Sequence, residues 1–278
     1  MADNTQSKTK RTYSRKATND LMRYILNSAS PSVETCKNFL ENGAHPNNIY
    51  DTNPDKMTPL ASVASQYRPD LVTLLLEYGA DINQKSGQLQ ETALINAAFH
   101  GNEDSVALLL QYGADFELTD KHGWTPLLSA ANKGHTAVIT RLLDAGANIN
   151  RTNEDGSTAL MFSAYAIHAP ALHLLLQRGA DINVQHSTGE TALMIAAHDG
   201  AIDIVKTLIE KGADPALHNE NGETAQDMAR NMHREELAEI LAEAEKMQTI
   251  KIFSAAAQKG TTKARKIIRS PQHRAKQP

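Results

Sequence analysis

Residues 120–152 read DKHGWTPLLSAANKGHTAVITRLLDAGANINRT, and each part of that stretch has a local structural meaning. Asp120 with Gly123 three positions on is a type I turn signature, and Thr125 followed by Pro126 is a helix N-cap with proline at the first helical position. Leu127, Leu128, Ala130 and Ala131 give that helix a narrow apolar face whose alanines permit close approach, and Gly134 supplies the left-handed residue that ends it. Val138, Ile139, Leu142 and Leu143 form a second amphipathic helix, stopped by Gly146. Helices of about eight to ten residues do not persist alone in water, so the pair must bury its faces against neighbours of the same kind.

Those neighbours are present. Thr recurs at Thr58, Thr92, Thr125, Thr158, Thr191 and Thr224, spaced 34 and then four times 33, each followed by Pro or Ala. A Gly-Ala pair stands 21 residues after each of the first five, at Gly79, Gly113, Gly146, Gly179 and Gly212. A fixed period of this length is the mark of a solenoid built from one repeated supersecondary unit.

The pattern resembles the ankyrin repeat family, through GWTPLLSAANKGH and GANIN in 120–152, GETALMIAAHDGAIDIVKTLIEKGADP at 189–215, and GADIN at 79–83 and 179–183. The resemblance implies an all-α fold, a solenoid of stacked helix-turn-helix units joined by β-turn or hairpin loops. It divides the chain into a mobile basic tail (1–17), a degenerate cap (18–52), five repeats (53–86, 87–119, 120–152, 153–185 and 186–218) and a terminal repeat (219–247). A degenerate helical half-repeat over 248–269 and a second basic tail (270–278) follow. In the terminal repeat Gln226 and Asp227 replace the usual apolar pair, as expected where no further neighbour needs covering.

Two departures from the family pattern stand out. The histidine that usually follows Thr-Pro-Leu is replaced by Ala61, Ile95, Leu128, Met161 and Met194, so packing must take over from its hydrogen bond. The glycine between the two helices is replaced by Tyr67 and Ile167, where a left-handed backbone is costly, so those turns should differ locally, with Pro69 and Pro170 helping to start the next helices.

Composition agrees with a helical stack. The 278 residues include 41% apolar but only 5% aromatic side chains, at a mean hydropathy of −0.43, a soluble profile that disfavours an all-β core. The single cysteine, Cys36, excludes an intramolecular disulfide and a multi-thiolate metal site, and points to a reducing, cytoplasmic compartment. The first twenty residues contain no apolar leader, although the nucleus, or export without such a leader, stays open. The formal charge of −4 is unevenly spread, because 1–16 and 246–278 together carry +13 and the body between them −17. An acidic body repels nucleic acid, whereas the tails could attract nucleic acid or an anionic membrane, or clasp the body itself.

No catalytic constellation emerges, and the chain reads as a non-enzyme without cofactor or metal. His100 and His198 occupy equivalent places three repeats apart, hence roughly 30 Å at the usual helix packing distance, too far to share a zinc. His168 and His173 are separated by Pro170 and a turn. Cys36 falls on an apolar helix face and reads as packing. Nucleophile elbows, phosphate loops and zinc-protease motifs do not occur in the sequence.

The resemblance implies a protein-protein interaction module, here a monomer, using a concave face lined by the turn tips before each Thr and the ends of the first helices. Carried onto this sequence, the candidates are Met57, Gln66, Phe99, His100, Lys121, His122, Trp124, Asn132, Lys133, Tyr165, His198 and Asp199. Phe99, Trp124 and Tyr165 come from three consecutive repeats, and aromatics with polar neighbours are the usual composition of an interface hot spot. The plainer alternative is that each packs on a neighbouring hairpin.

Overall fold

The computed structural model describes residues 12–49 and 56–258, with backbone alone for 255–258. Among these residues there are fourteen helices and no strand, only an isolated antiparallel bridge between Ser86 and Glu91. The chain divides into two compact units, one ending at Asp181 and one beginning at Ile182, although the repeat pattern runs across that point.

The first unit is a stack of five helical hairpins. They are α1 (Arg15–Asn27) with α2 (Val33–Glu41), α3 (Pro59–Ala64) with α4 (Pro69–Glu77), and α5 (Ala93–His100) with α6 (Glu103–Gln111). Then come α7 (Pro126–Lys133) with α8 (Thr136–Asp144), and α9 (Ala159–Tyr165) with α10 (Ala169–Gln177). First helices contact one another in the order α1, α3, α5, α7, α9, and second helices in the order α2, α4, α6, α8, α10. The second unit pairs α11 (Ala192–Asp199) with α12 (Ile202–Glu210) and α13 (Ala225–Asn231) with α14 (Glu235–Gln258), with α11 packed on α13.

Each repeated Thr starts a helix by the means its residue type dictates. The side-chain oxygens of Thr58, Thr92, Thr125, Thr158, Thr191 and Thr224 accept from the backbone N–H three residues on, satisfying a donor that the helix itself leaves unpaired. The residues at that third position, Ala61, Ile95, Leu128, Met161 and Met194, are at most 2% exposed, so packing does take the place of the missing histidine. In the terminal repeat the same position is Asp227, whose carboxylate accepts from the Thr224 N–H at 3.0 Å and hydroxyl at 2.7 Å. Asp227 therefore completes a reciprocal cap, and Gln226 donates to the Ala238 carbonyl at 3.2 Å. Both polar residues are put to use at the end of the stack.

The alanines lie where the first helices meet. Ala64, Ala97, Ala98, Ala130, Ala131 and Ala164 are fully buried, as are Ala196 and Ala197 in the second unit.

Three sets of polar rungs tie consecutive repeats together. In the loops, Asn47, Asn83 and Asn150 accept through Oδ1 from the backbone N–H of Asp81, Asp115 and Asp181 at 2.7 to 2.9 Å, and Glu117 accepts from Asn148 at 2.8 Å. In the second unit Asn183 does the same for Asp214 at 2.9 Å. At the turn tips, the N–H groups of Gly87, Lys121 and Glu154 donate to the carbonyls of Lys56, Leu89 and His122, and in the second unit Glu220 donates to Thr188.

The third set crosses the ends of the first helices. Arg68 donates to the Pro31 carbonyl, Asn102 Nδ2 to Ala64 at 2.6 Å, His135 Nε2 to Phe99 at 3.1 Å and His168 Nε2 to Asn132 at 3.2 Å. Because a carbonyl only accepts, both imidazoles carry their proton on Nε2 here. In the second unit Arg234 donates to Ala197 at 3.4 Å.

Three expectations are corrected. The tail drawn as 1–17 is too long, because Ser14 caps α1 and its N–H donates to the Gly43 carbonyl at 2.7 Å, while Tyr13 lies with its ring 4.0 Å from that of His45. Residues 1–11 lie outside the described residues. At the inter-helix turns Tyr67 and Ile167 keep the left-handed conformation, with φ of 56° and 57°, and so does His233 at 56°. What differs is the helix end, which falls earlier, at Ala64 and Tyr165. Finally, α14 passes 247 without a break, so 248–258 prolong the terminal repeat's second helix; 259–269 lie outside the described residues, as do 270–278.

The tolerance of Tyr67 has a steric reason. At the equivalent Gly101 and Gly134, a Cβ would stand 2.6 Å from Nδ1 of His135 and 2.7 Å from Cγ of His168. The residue equivalent to those histidines in the repeat after Tyr67 is Asn102, a shorter side chain, so only the backbone cost remains.

Candidate protein-interaction surface

The twelve candidate residues are shared between the two units, ten in the first, with His198 and Asp199 in the second. Phe99 and His100 are the last two residues of α5, Asn132 and Lys133 the last two of α7, and Tyr165 the last of α9. The helices end there because the left-handed residue follows within one or two positions, and this sets the preceding side chains on the rim of the stack.

Three successive repeats join at this rim. The Lys133 ammonium lies 4.5 Å from the centroid of the Phe99 ring, a cation-π arrangement, and the His100 ring meets Phe99 edge-on at 5.2 Å. His100 Nδ1 donates to the Asn96 carbonyl at 2.9 Å, which fixes the imidazole, and the Tyr67 hydroxyl donates to the His100 carbonyl. The Phe99 and Asn132 carbonyls are held by His135 and His168. Phe99 nevertheless keeps 39% of its surface exposed, and Tyr67 and Tyr165 keep 64% each.

The turn tips are fixed through their backbones. Asp120, buried, accepts through Oδ1 from the N–H groups of His122 and Trp124, both at 2.8 Å, and the Lys121 and His122 side chains stand exposed. Trp124 is half-buried, with its ring 4.3 Å from that of Phe162. Part of the indole is thus engaged within the stack, which Phe99 and Tyr165 are not to the same degree. Met57 is half-buried next to the Thr58 cap, and Gln66 is exposed in the turn after α3. In the second unit His198 Nδ1 and Asp199 Oδ1 are 3.0 Å apart.

Sequence reading passed over Tyr67, Phe162, His135 and His168 as surface elements. Tyr67 carried the clearest signal, since a bulky residue where glycine is usual must be held by something or used for something.

Comparison with protein families decides the classification. The sequence matches the family described as Ankyrin repeats (3 copies) in three overlapping stretches, 21–120, 113–186 and 164–252. The chain belongs to the ankyrin-repeat family. No curated protein matches it. Ankyrin repeats generally serve as protein-protein interaction modules, and the helical hairpins, Thr caps and loop rungs of this ankyrin stack account for the match in physical terms.

Among the described residues no helix is long and apolar enough to cross a membrane, and no group of three or more His, Cys, Asp or Glu is placed to hold a metal ion. Cys36 is buried, and its thiol is pushed up to about 11, chiefly by that burial, which Arg68 opposes and Asp70 assists. A thiol in that state is a packing residue.

Proposed function

We propose that this ankyrin-repeat protein is a non-enzymatic binding module that holds a protein or peptide on the rim of its first unit, with Phe99 and Tyr165 as anchors. The observation that carries the reading is the joined patch of Tyr67, His100, Phe99 and Lys133 across three repeats, in which each polar group is tied down while aromatic surface stays open. A rigid, partly solvated aromatic surrounded by satisfied polar groups loses little side-chain entropy on binding. Lys121, His122, Asn132 and Trp124 serve this first-unit surface as specificity contacts, as do Met57 and Gln66 nearer α3, while His198 and Asp199 are candidate contacts of the second unit by itself. The protein acts as a monomeric scaffold in the cytoplasm and needs no cofactor. The test is to recover partners on the immobilised full chain and on a folded Phe99→Ala/Tyr165→Ala variant; a partner held equally by both would refute the reading.

A second reading assigns binding to the basic tails, which would attract nucleic acid or anionic lipid. The charge asymmetry favours it, with +9 in residues 1–11 and 259–278 together against −13 in the residues between them. Binding to DNA or anionic vesicles that collapses with added salt, and that is lost on removing 1–11 and 259–278, would support this alternative.

A further inference from the structure

The turn tips of the first unit hold one carboxylate whose charge its neighbours leave unanswered. Glu91 and Trp124 stand directly before the capping Thr92 and Thr125, so they occupy the same place in two consecutive repeats. The Glu91 backbone is fixed by reciprocal bonds with Ser86, both at 2.9 Å, and its half-buried side chain lies beside the Asn96 amide. Other carboxylates of this unit are satisfied: Glu103 pairs with Arg141 at 3.0 Å, Glu117 accepts from the Asn148 N–H, and Asp120 accepts from two N–H groups. Glu91 forms no ion pair among the described residues. Lys133 is engaged over Phe99, and the Lys121 side chain stands exposed at its turn tip. Burial pushes the Glu91 carboxyl above the ordinary range and Asp120 adds to the rise, while His100 and Asn96 oppose it. A partly desolvated anion gains more from an incoming cation than an exposed one does, because the dielectric around it is lowered.

An aromatic face follows in the next two repeats. The Trp124 and Phe162 rings, both half-buried, meet at 4.3 Å, and α5 packs on α7 as α7 does on α9. Packed helices lie about 8–10 Å apart, and three residues of extended chain span about 10 Å. A peptide lying along the turn tips therefore sets one side chain at Glu91 and the third one after it at Trp124. The charge of the unit suits a basic partner: residues 56–181 carry thirteen acidic and eight basic side chains, and Arg68, Arg141 and Arg178 are already paired with Asp70, Glu103 and Asp144.

On the reading of this unit as a protein-binding surface, we propose that its occupant is an extended basic segment of a partner protein, with an arginine or lysine on Glu91 and an apolar side chain three residues away on the pair of Trp124 and Phe162. Arginine fits best, since a guanidinium engages both carboxylate oxygens at once and stacks on a neighbouring ring.

The test is selection of random dodecapeptides displayed on phage against the immobilised full chain, Glu91→Gln and Trp124→Ala, each variant checked for unchanged helicity. The full chain should enrich peptides with Arg or Lys three residues from an apolar residue. Glu91→Gln should lose the basic preference and keep the apolar one, and Trp124→Ala should do the reverse. One enriched peptide, titrated by fluorescence anisotropy, should bind Glu91→Gln about tenfold or more weakly than wild type. Failure to enrich any peptide would overturn the proposal, and so would a basic preference that is absent from the full chain or equal in Glu91→Gln. Loss of affinity in Phe99→Ala/Tyr165→Ala would in that case leave the rim anchors standing. Conversely, a basic preference lost only in Glu91→Gln, with affinity unchanged in Phe99→Ala/Tyr165→Ala, would support the Glu91 contact and refute those two anchors alone.

Discussion

The imidazole of His168 lies across Gly134 so closely that a Cβ on that glycine would stand 2.7 Å from the ring, while Nε2 of the same ring donates to the Asn132 carbonyl at 3.2 Å. One side chain thus covers the end of the preceding repeat's first helix and satisfies one of its unpaired carbonyls. Gly134 has φ of 72°, and Gly79, with φ of 88°, has no atom within 4 Å of a Cβ position. Gly79→Ala should therefore cost only the left-handed backbone term, about 1–2 kcal/mol. Gly134→Ala should cost clearly more, since the histidine must also move. Urea unfolding of the two variants measures the difference, and equal losses would show that the ring yields freely.

Protonation should loosen the equivalent contact one repeat earlier, made by His135. Burial holds His135 below the ordinary histidine range; its bond to the Phe99 carbonyl opposes this, and the nearby His168, His100 and Lys133 add to the lowering. An unfolded histidine titrates near pH 6.5, so between that pH and the lower folded value the unfolded chain binds more protons. Stability from this group is then complete above about pH 6.5 and is lost as pH falls through the folded value. The urea midpoint should drop between pH 7.5 and pH 5. His135→Asn, which keeps a donor of the kind Asn102 supplies one repeat earlier, should drop less.

Packing between first helices should tolerate no added volume. Ala130 is fully buried in α7, so Ala130→Leu should destabilise by about 1–3 kcal/mol through overpacking. The same change at exposed Ala137 on α8 should stay within about 0.5 kcal/mol. Matching melting temperatures for both would mean the helices can part at no cost.

Cys36 should behave as an inert thiol. With its pKa pushed up to about 11 by burial, it should resist a thiol reagent at pH 7.5 in the native protein and react fully in denaturant. Rapid native labelling would place α2 away from its packed position.

Much of this fold was legible in the sequence because its decisive signals are local. Thr125-Pro126 starts a helix and Gly146 stops one whatever lies around them, and a 33-residue period forces such hairpins to stack. The rungs were not legible, since Asn83 accepting from Asp115, or His135 donating to Phe99, depends on the register between neighbouring repeats. Sequence led to the expectation that the turn at position 67 would differ, whereas Tyr67 keeps the left-handed conformation, opposite a short residue 35 positions away, Asn102. On the candidate surface, sequence named Phe99 and Tyr165 and equally Trp124; only the structure separates the half-buried indole on Phe162 from the two more exposed rings.

The most direct test of the account is the affinity of one recovered protein partner for four proteins: the full chain, Phe99→Ala, Tyr165→Ala, and a chain limited to residues 12–258. The account predicts that at least one truncation weakens binding by about thirtyfold, the scale of a 2 kcal/mol hot spot, with helicity unchanged. Removing the tails should alter mainly the association rate and its salt dependence. Wild-type affinity in both aromatic variants, with binding abolished in the shortened chain, would contradict it.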